Sequence, residues 1–210
     1  MLNYDSVKRL IDLLVSSVSL AATGPMQCVI AMLVKRKLGS PVLFRQQRPG
    51  KGEEIFELIK FRTMIAPNES AGLVTDRDRL TPFGAFLRST SMDELPTLWN
   101  VVKGDMSLVG PRPLLVRYLD RYSPTQRRRH EVRPGLTGLA QIAGRNNLTW
   151  TRKFELDVHY VAERSFWLDA RIISATFSKV LLRRGIAAEG DVTMPEFFGN
   201  PDVASGLRSD

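Results

Sequence analysis

Ser91-Met-Asp-Glu94 sets two carboxylates side by side where the pattern reads as the start of a helix. The spacing fits a capping box, with Ser91 as N-cap and Glu94 at the third helical position. Acidic residues in a first turn also complement the helix dipole. The same placement could instead keep Asp93 ionised and available as a nucleophile. Neighbouring residues on a helix point roughly 100° apart, so the two acids need not share a role. One can attack phosphorus while the other caps, orients the first, or helps hold a metal. The residues alone leave both readings open.

A carboxylate that attacks a diphosphate needs cations around it. Arg88 lies just upstream of Asp93, and Arg112 sits in the stiff Pro111-Arg112-Pro113 loop. Arginine gives paired, planar hydrogen bonds to phosphate oxygens, and flanking prolines limit the entropy it loses in doing so. Lys60-Phe-Arg62 puts Lys60 and Arg62 on one face of a strand. The Arg127-Arg128-Arg129 run reads as a solvated helix face or a headgroup contact. His130 and His159 read as structural.

The elements that must position these groups begin with an uncharged stretch, Leu13 to Val34. As a helix it would extend roughly 33 Å, about the hydrocarbon thickness of a bilayer. The Lys35-Arg36-Lys37 cluster follows where a small-residue cleavage site would be expected, so a removed signal peptide is disfavoured. Gly24-Pro25 interrupts the middle, and proline removes a backbone hydrogen bond there. Both ends are basic, Lys8-Arg9 and Lys35-Arg36-Lys37, and such clusters prefer the cytoplasmic side. A helix bent at Gly24 and Pro25 would keep both on that side, with Ser16, Ser17, Ser19 and Thr23 serving carbonyls freed near the bend. A kinked single-pass helix and a buried soluble helix are the competing expectations.

Downstream, the pattern predicts strands at Pro41–Phe44 and Ile55–Phe61 around an Arg48–Gly52 turn. It predicts helices from Pro82 to Arg88, from Ser91 to Val102 ending at Gly104, from Leu114 to Tyr122, and from Pro124 to Val132 capped by Ser123. A turn at Arg133–Gly138 precedes a short apolar piece, Leu139–Ile142, and two amphipathic helices, Thr151–Arg164 and Phe166–Arg184. The sum is an α+β fold, mainly helical with a few short strands. It carries an N-terminal re-entrant membrane helix hairpin and amphipathic helices at the membrane surface. Residues 1–37 form the membrane helix with its basic flanks, 38–185 a cytoplasmic catalytic domain, and 186–210 an extended or mobile tail.

Thirty Lys and Arg against 22 Asp and Glu give a net charge of +8. That favours an anionic partner, whether nucleic acid, lipid surface or phosphorylated substrate. Cys28 is the only cysteine, which excludes an intrachain disulfide and a cysteine metal cluster. There is no GxGxxG or Walker loop. A basic nucleic-acid-binding protein explains the charge but not the uncharged N-terminal stretch, and no binding motif supports it. A membrane scaffold without chemistry, in which Asp93 and Glu94 only cap a helix, is the other non-enzymatic reading.

Seven ordered stretches carry a resemblance. They are Lys8-Arg-Leu-Ile-Asp12, Gln47-Arg-Pro-Gly50, Lys60-Phe-Arg-Thr-Met64, Leu87-Arg-Ser-Thr-Ser-Met-Asp-Glu-Leu-Pro96, Asn100 to Pro113, Arg133-Pro-Gly-Leu-Thr-Gly138 and Ala140-Gln-Ile-Ala-Gly-Arg-Asn146. Together the chain resembles the bacterial sugar transferases, or monotopic phosphoglycosyl transferases, over roughly residues 3 to 198. It is most similar to the small one-domain branch acting on N-acetylated amino sugars of the bacillosamine type. The resemblance implies a two-step transfer from a UDP-sugar to undecaprenyl phosphate with Mg²⁺, at the cytoplasmic face of the bacterial inner membrane. Asp93 would carry the covalent phosphosugar as UMP leaves, and Glu94 would complete the pair and share in holding the metal. Lys60, Arg62, Arg88 and Arg112 would lie near the phosphates. Asp157, in Phe-Glu-Leu-Asp-Val, and Arg145, in Gly-Arg-Asn, match further active-site positions. The family's re-entrant break is often Ser-Pro; here it is Gly24-Pro25. A UDP-hexose donor, galactose or glucose, is the alternative substrate.

Overall fold

The computed structural model describes residues 3–144, 148–181 and 196–199. Its first element, α1 (Tyr4–Leu38), is a helix of 35 residues. The Asn3 side chain caps it by accepting from the Asp5 amide, and Gly39, at φ 80°, closes it with an N–H to the Lys35 carbonyl. Lys35, Arg36 and Lys37 sit in the last turn, where cations complement the dipole. The helix is apolar and long enough to cross a membrane. Leu10, Ile11, Leu14, Val18, Met26, Val29 and Met32 are all exposed on it. Gly24 and Pro25 lie inside the helix, which stays helical through them. The expected help from hydroxyls falls to Thr23, whose Oγ1 donates to the Ser19 carbonyl (2.6 Å) and accepts from Gln27 Nε2 (2.9 Å).

α1 is buried only where the remaining chain meets it. Near its start, Asp12 and Ser16 are buried; near its end, Ile30, Val34 and Leu38 are. The second group joins Phe61 and Leu87 in one apolar cluster. The first basic flank is tied to the rest of the chain, whereas Lys35, Arg36 and Lys37 are exposed. Lys8 is held by Asp169 at 2.7 Å. Arg9 donates to the Val101 and Val102 carbonyls at 2.6 and 2.8 Å.

Two strands, β1 (Leu43–Pro49) and β2 (Ile55–Phe61), form an antiparallel hairpin with Phe44 opposite Lys60. β1 starts later and runs further than predicted, so Arg48 and Pro49 belong to the strand. The turn is made beyond them, where Gly52 takes a left-handed conformation at φ 63°. After α2 (Asp76–Arg79) and α3 (Pro82–Ser89) comes a 3₁₀ segment, Met92–Thr97, continued by α4 (Leu98–Lys103). One helix from Ser91 was predicted. Pro96 has no N–H to bond back to Met92 and its ring crowds that carbonyl, so a regular α-helix begins only after it. Gly104, at φ 97°, ends α4 as expected.

Among the described residues no third strand pairs with the outer edge of β2; side chains occupy it. Asn100 Oδ1 accepts from the Ile59 amide (3.1 Å), Asn100 Nδ2 donates to the Glu57 carbonyl (2.7 Å), and Thr97 Oγ1 donates to the Ile59 carbonyl (2.8 Å). These bonds lock Met92–Lys103 against the strand.

A second pair, β3 (Ser107–Val109) and β4 (Gly135–Thr137), is parallel, and its β4 half lies in the stretch Arg133–Gly138 that was read as a turn from sequence. It depends on glycine: a Cβ at Gly135 would stand 2.1 Å from Gly110 N, and one at Gly138 2.2 Å from Gly110 O. Leu114–Tyr122 yields a 3₁₀ segment, Val116–Arg121, rather than a helix. It is short, and helix nucleation is costly. α5 (Pro124–Arg127) is capped by Ser123 as predicted and tightens into 3₁₀ over Arg128–Glu131. α6 (Leu139–Ala143), α7 (Trp150–Glu163) and α8 (Phe166–Leu181) complete the order. The chain is mainly helical with a few short strands, as the pattern predicted. Of the stretch expected as a tail, Glu196–Gly199 packs against the domain, with Phe197 3% exposed among Tyr118, Tyr122 and Phe154.

Replacing Asn100 with Ala would strand the Ile59 amide and the Glu57 carbonyl. The expected loss is about 2–4 kcal/mol, read as a lower urea midpoint at unchanged slope. A loss well under about 1 kcal/mol would show that the strand edge does not depend on this side chain.

Candidate active site

Asp93 sits in the first turn of the 3₁₀ segment and is 5% exposed. The predicted cap is absent. Ser91 adopts a left-handed conformation (φ 56°, ψ 17°) and its side chain makes no capping hydrogen bond. A left-handed residue turns its hydroxyl away from the N-cap position, so only backbone closes the turn, Glu94 N donating to Ser91 O at 3.2 Å. The Ser91 half of the expected capping box is therefore missing. Glu94 accepts from Arg112 Nη2 at 2.8 Å. Burial, then the neighbouring Glu94, pushes the Asp93 carboxyl up to about 6, against the pull of Lys60, Arg112 and Arg88. Asp93 is thus a buried carboxylate that is ionised at neutral pH and faces three cations.

Each cation arrives from a different element. Lys60 is the next-to-last residue of β2, with its ammonium 5.5 Å from the Phe44 ring centre. Burial pulls the Lys60 ammonium down, and Asp93 opposes that pull. Arg88 comes from α3, which approaches so closely that a Cβ at Gly84 would lie 1.8 Å from the Thr63 carbonyl oxygen. Arg88 Nε donates to Thr63 Oγ1 at 2.9 Å, which fixes the guanidinium. Arg112 is held through its backbone. Gly110 N donates to Thr137 O (2.9 Å), and Pro111 O accepts from Gly135 N (2.9 Å). Arg112 O accepts from Arg129 Nη2 (2.6 Å), and Pro113 O from Arg48 Nη1 (3.3 Å). The side chain stays half-exposed and reaches Glu94.

The structure thus brings Asp93, Glu94, Lys60, Arg88 and Arg112 together. Arg62 goes elsewhere: it donates to the Leu38 and Ser40 carbonyls beyond the end of α1. Asp157 is 3% exposed and pairs with Arg129 at 2.7 Å, beneath the Arg112 loop rather than at its tip. Burial raises the Asp157 carboxyl, and Arg129 opposes the rise. Arg145 lies outside the described residues. Gly24 and Pro25 are remote, inside α1.

Three basic residues were missed or misassigned. Arg129 was read as part of a solvated run, yet it is 3% exposed, unlike Arg127 and Arg128. Nothing in a triple-arginine run marks which member turns inward. Arg48 lies next to Arg112; burial, then Arg112, lowers it to about 10. Its presence in the Gln47–Gly50 stretch was the available signal. Lys153, on α7, is lowered to about 8 by burial and by Arg112. No three His, Cys, Asp or Glu side chains group together among the described residues. Mg²⁺ bound by one or two carboxylates plus substrate phosphates needs no such group, and Asp93 with Glu94 fits that mode.

The family model for bacterial sugar transferases matches residues 3–183. The chain is 50% identical over 200 residues to the "Uncharacterized sugar transferase EpsL" of Bacillus subtilis (strain 168), covering 95% of this chain and 99% of that protein. It is 37% identical over 188 residues to a UDP-glucose:undecaprenyl-phosphate glucose-1-phosphate transferase of Caulobacter vibrioides, covering 84% and 70%. It is 38% identical over 187 residues to a UDP-N-acetylgalactosamine-undecaprenyl-phosphate N-acetylgalactosaminephosphotransferase of Aeromonas hydrophila, covering 85% of this chain and 44% of that protein.

The raised carboxyl has a stability consequence with a definite sign. Between its ordinary value of 3.8 and about 6, the folded chain holds the Asp93 proton more tightly than the unfolded chain. Stability from this group is complete below that window and is lost as pH rises through it. The Asp93→Asn protein lacks the loss. It should match the parent near pH 4 and exceed it above pH 6 by up to about 3 kcal/mol, measured by denaturant titration at several pH values. A parent more stable than Asp93→Asn at pH 7 would contradict the burial-driven shift.

Proposed function

From its place in the bacterial sugar transferase family, to which this chain belongs, we propose that it moves a sugar 1-phosphate from a UDP-sugar to undecaprenyl phosphate. The observation that carries this reading is Asp93: a buried carboxylate, ionised at neutral pH, and ringed by Lys60, Arg88 and Arg112. The relatives named for the same transfer support the reaction class.

In the first step an Asp93 oxygen attacks the phosphorus that bears the sugar. The bond from that phosphorus to the bridging oxygen breaks, and UMP leaves with the electron pair. In the second step an oxygen of undecaprenyl phosphate attacks the same phosphorus, and the Asp93 carboxylate is expelled unchanged. Splitting the transfer this way is covalent catalysis. Three fixed cations meet the charge that the phosphoryl oxygens carry in both steps. Arginine suits this, because its fork pairs with two oxygens at once. The acceptor is already an anion, so no general base is required. Glu94 orients Arg112 in the free protein, and with Asp93 it would help hold Mg²⁺, which offsets diphosphate charge when bound.

A soluble nucleotide and a lipid must meet at this site. A polyprenyl chain leaving the bilayer would expose methylenes at about 0.8 kcal/mol each, so the protein has to reach the headgroup level. We propose that α1 is re-entrant. Both of its ends are tied to one domain: Lys8 and Arg9 to Asp169 and α4, and Ile30, Val34 and Leu38 to the cluster around Phe61 and Leu87. A helix that crossed the bilayer would carry its ends to opposite faces, beyond the reach of a single domain. Phe166, Trp167 and Phe177, exposed on α8, fit the same interface. A re-entrant α1 with basic residues at both ends supports the proposal that the enzyme lies at the cytoplasmic face of the inner membrane.

The first donors to test are UDP-sugars with N-acetylated amino groups. UDP-glucose is the second reading, favoured by the Caulobacter relative's name. UMP release with undecaprenyl phosphate and Mg²⁺ over a donor panel decides between them. Asp93→Asn should abolish release, and the parent's rate should climb as pH rises through about 6 and then level off. Full release by Asp93→Asn would sink the mechanism. For topology, Ser6→Cys and Arg36→Cys, each in a Cys28→Ser background, should both react with an impermeant thiol reagent from the same side. Labelling from opposite sides would refute re-entry.

A further inference from the structure

We propose that Arg129 is a positioning residue for Arg112, and that the C-terminal segment Glu196–Gly199 is the clip that keeps Arg129 in place. The inference rests on the transferase reading above only for what Arg112 does; the placement itself stands on geometry.

Arg129 makes contacts on every side. Its Nε and Nη2 donate to Asp157 Oδ2 at 3.1 and 2.7 Å, and its Nη2 also donates to the Arg112 carbonyl at 2.6 Å. Its guanidinium carbon lies 5.8 Å from the centre of the Tyr122 ring and 5.9 Å from that of Phe154. A buried arginine holds one orientation only while its partners hold theirs, because a planar fork cannot be re-aimed without stranding donors. Asp157 satisfies the charge, and the two rings set the plane.

Phe197 packs on those same two rings. It stacks on Tyr122 with centroids 6.0 Å apart and meets Phe154 edge-on at 4.9 Å. It also contacts Tyr118 and Trp150, at 5.8 and 5.5 Å. Polar contacts hold the segment on either side of this ring. Glu196 bridges Arg117 (3.0 Å) and Arg121 (2.8 Å). The Phe197 amide donates to Tyr118 Oη (3.3 Å), and its carbonyl accepts from Arg121. The path from tail to site is continuous: Phe197, the Tyr122 and Phe154 rings, Arg129, the Arg112 backbone, and the Arg112 side chain on Glu94. Withdrawing Phe197 leaves a void beside the rings that orient Arg129.

Two measurements on the full chain test this. Phe197→Leu keeps the site apolar and loses the ring contacts; Glu196→Gln, at a partly exposed position, loosens the clip without touching the core. Hydrogen exchange reads the placement without substrate. Phe197→Leu should speed exchange in the peptide covering residues 110–115 and leave β1 and β2 unchanged, with Glu196→Gln showing a smaller effect in the same peptide. Unchanged exchange at 110–115 in both variants overturns the proposal. The kinetic test is a double-mutant cycle on UMP release. Misplacing Arg112 should cost Phe197→Leu about tenfold or more in kcat/KM in the parent, and about twofold or less when Arg112 is already Ala. Equal losses in both backgrounds mean a general structural defect and also overturn it. If the parent releases no UMP with any donor, the transferase reading fails, and the exchange result alone decides the clip.

Discussion

Taking a carboxylate out of water costs several kcal/mol unless cations and hydrogen bonds meet it. Here a second carboxylate stands next in the chain. Asp93 is buried and Glu94 adjoins it, so the arrangement survives only while Lys60, Arg88 and Arg112 are held in place. None of the three belongs to the element that carries the acids. The structure around the site is accordingly devoted to bringing a hairpin, a helix and a proline-bound loop to one point. The side-chain bonds of Asn100 and Thr97 along β2 fix the acids against Lys60. The glycine contact of α3 on Thr63 delivers Arg88. The parallel pairing of β3 with β4 and the Arg129 anchor deliver Arg112.

That division explains what could be read from the sequence. Pattern alone offered Asp93 and Glu94 equally as a helix cap, and it was the resemblance that singled them out together with Lys60, Arg88 and Arg112. Stiff prolines at Arg112 and strand alternation at Lys60 only made their placement readable. Arg62 shows the limit of such reasoning. It is two residues from Lys60 and shares its face by alternation, but it lies past the end of β2 and turns to cap the C-terminus of α1 instead. Alternation holds only inside a strand, and one residue beyond it the direction is set by whichever backbone carbonyls lack partners. Ser91 fails for a related reason. The capping-box spacing presumes an extended N-cap, whereas the turn out of α3 puts Ser91 in the left-handed region.

The parallel pairing of β3 with β4 and the Arg129–Asp157 pair were illegible for a different reason. Both join segments distant in sequence, and each has a respectable local alternative. Gly135-Leu-Thr137, following a proline, looks like part of a turn, and an arginine triplet looks solvated. Only tertiary contact distinguishes Arg129, 3% exposed, from its exposed neighbours Arg127 and Arg128. The short range of helix and strand patterns cannot carry that information.

α1 ties these constraints to the proposed membrane surface. Arg9 caps the end of α4, and the far end of the same helix packs through Ile30 and Val34 near Met92 and Leu95, in the segment that bears Asp93. The helix proposed to meet lipid and the segment that bears Asp93 therefore share an interface, and neither can shift without the other. A site mounted on a flexible linker could sample many heights above a bilayer. One braced directly against its own membrane helix has a single height. For the proposed reaction, whose acceptor phosphate is confined to the headgroup plane, that rigidity sets the site at the height of the acceptor. It also accounts for polar anchors such as Lys8–Asp169 and Asp12–Leu108 at the start of a helix that is otherwise apolar.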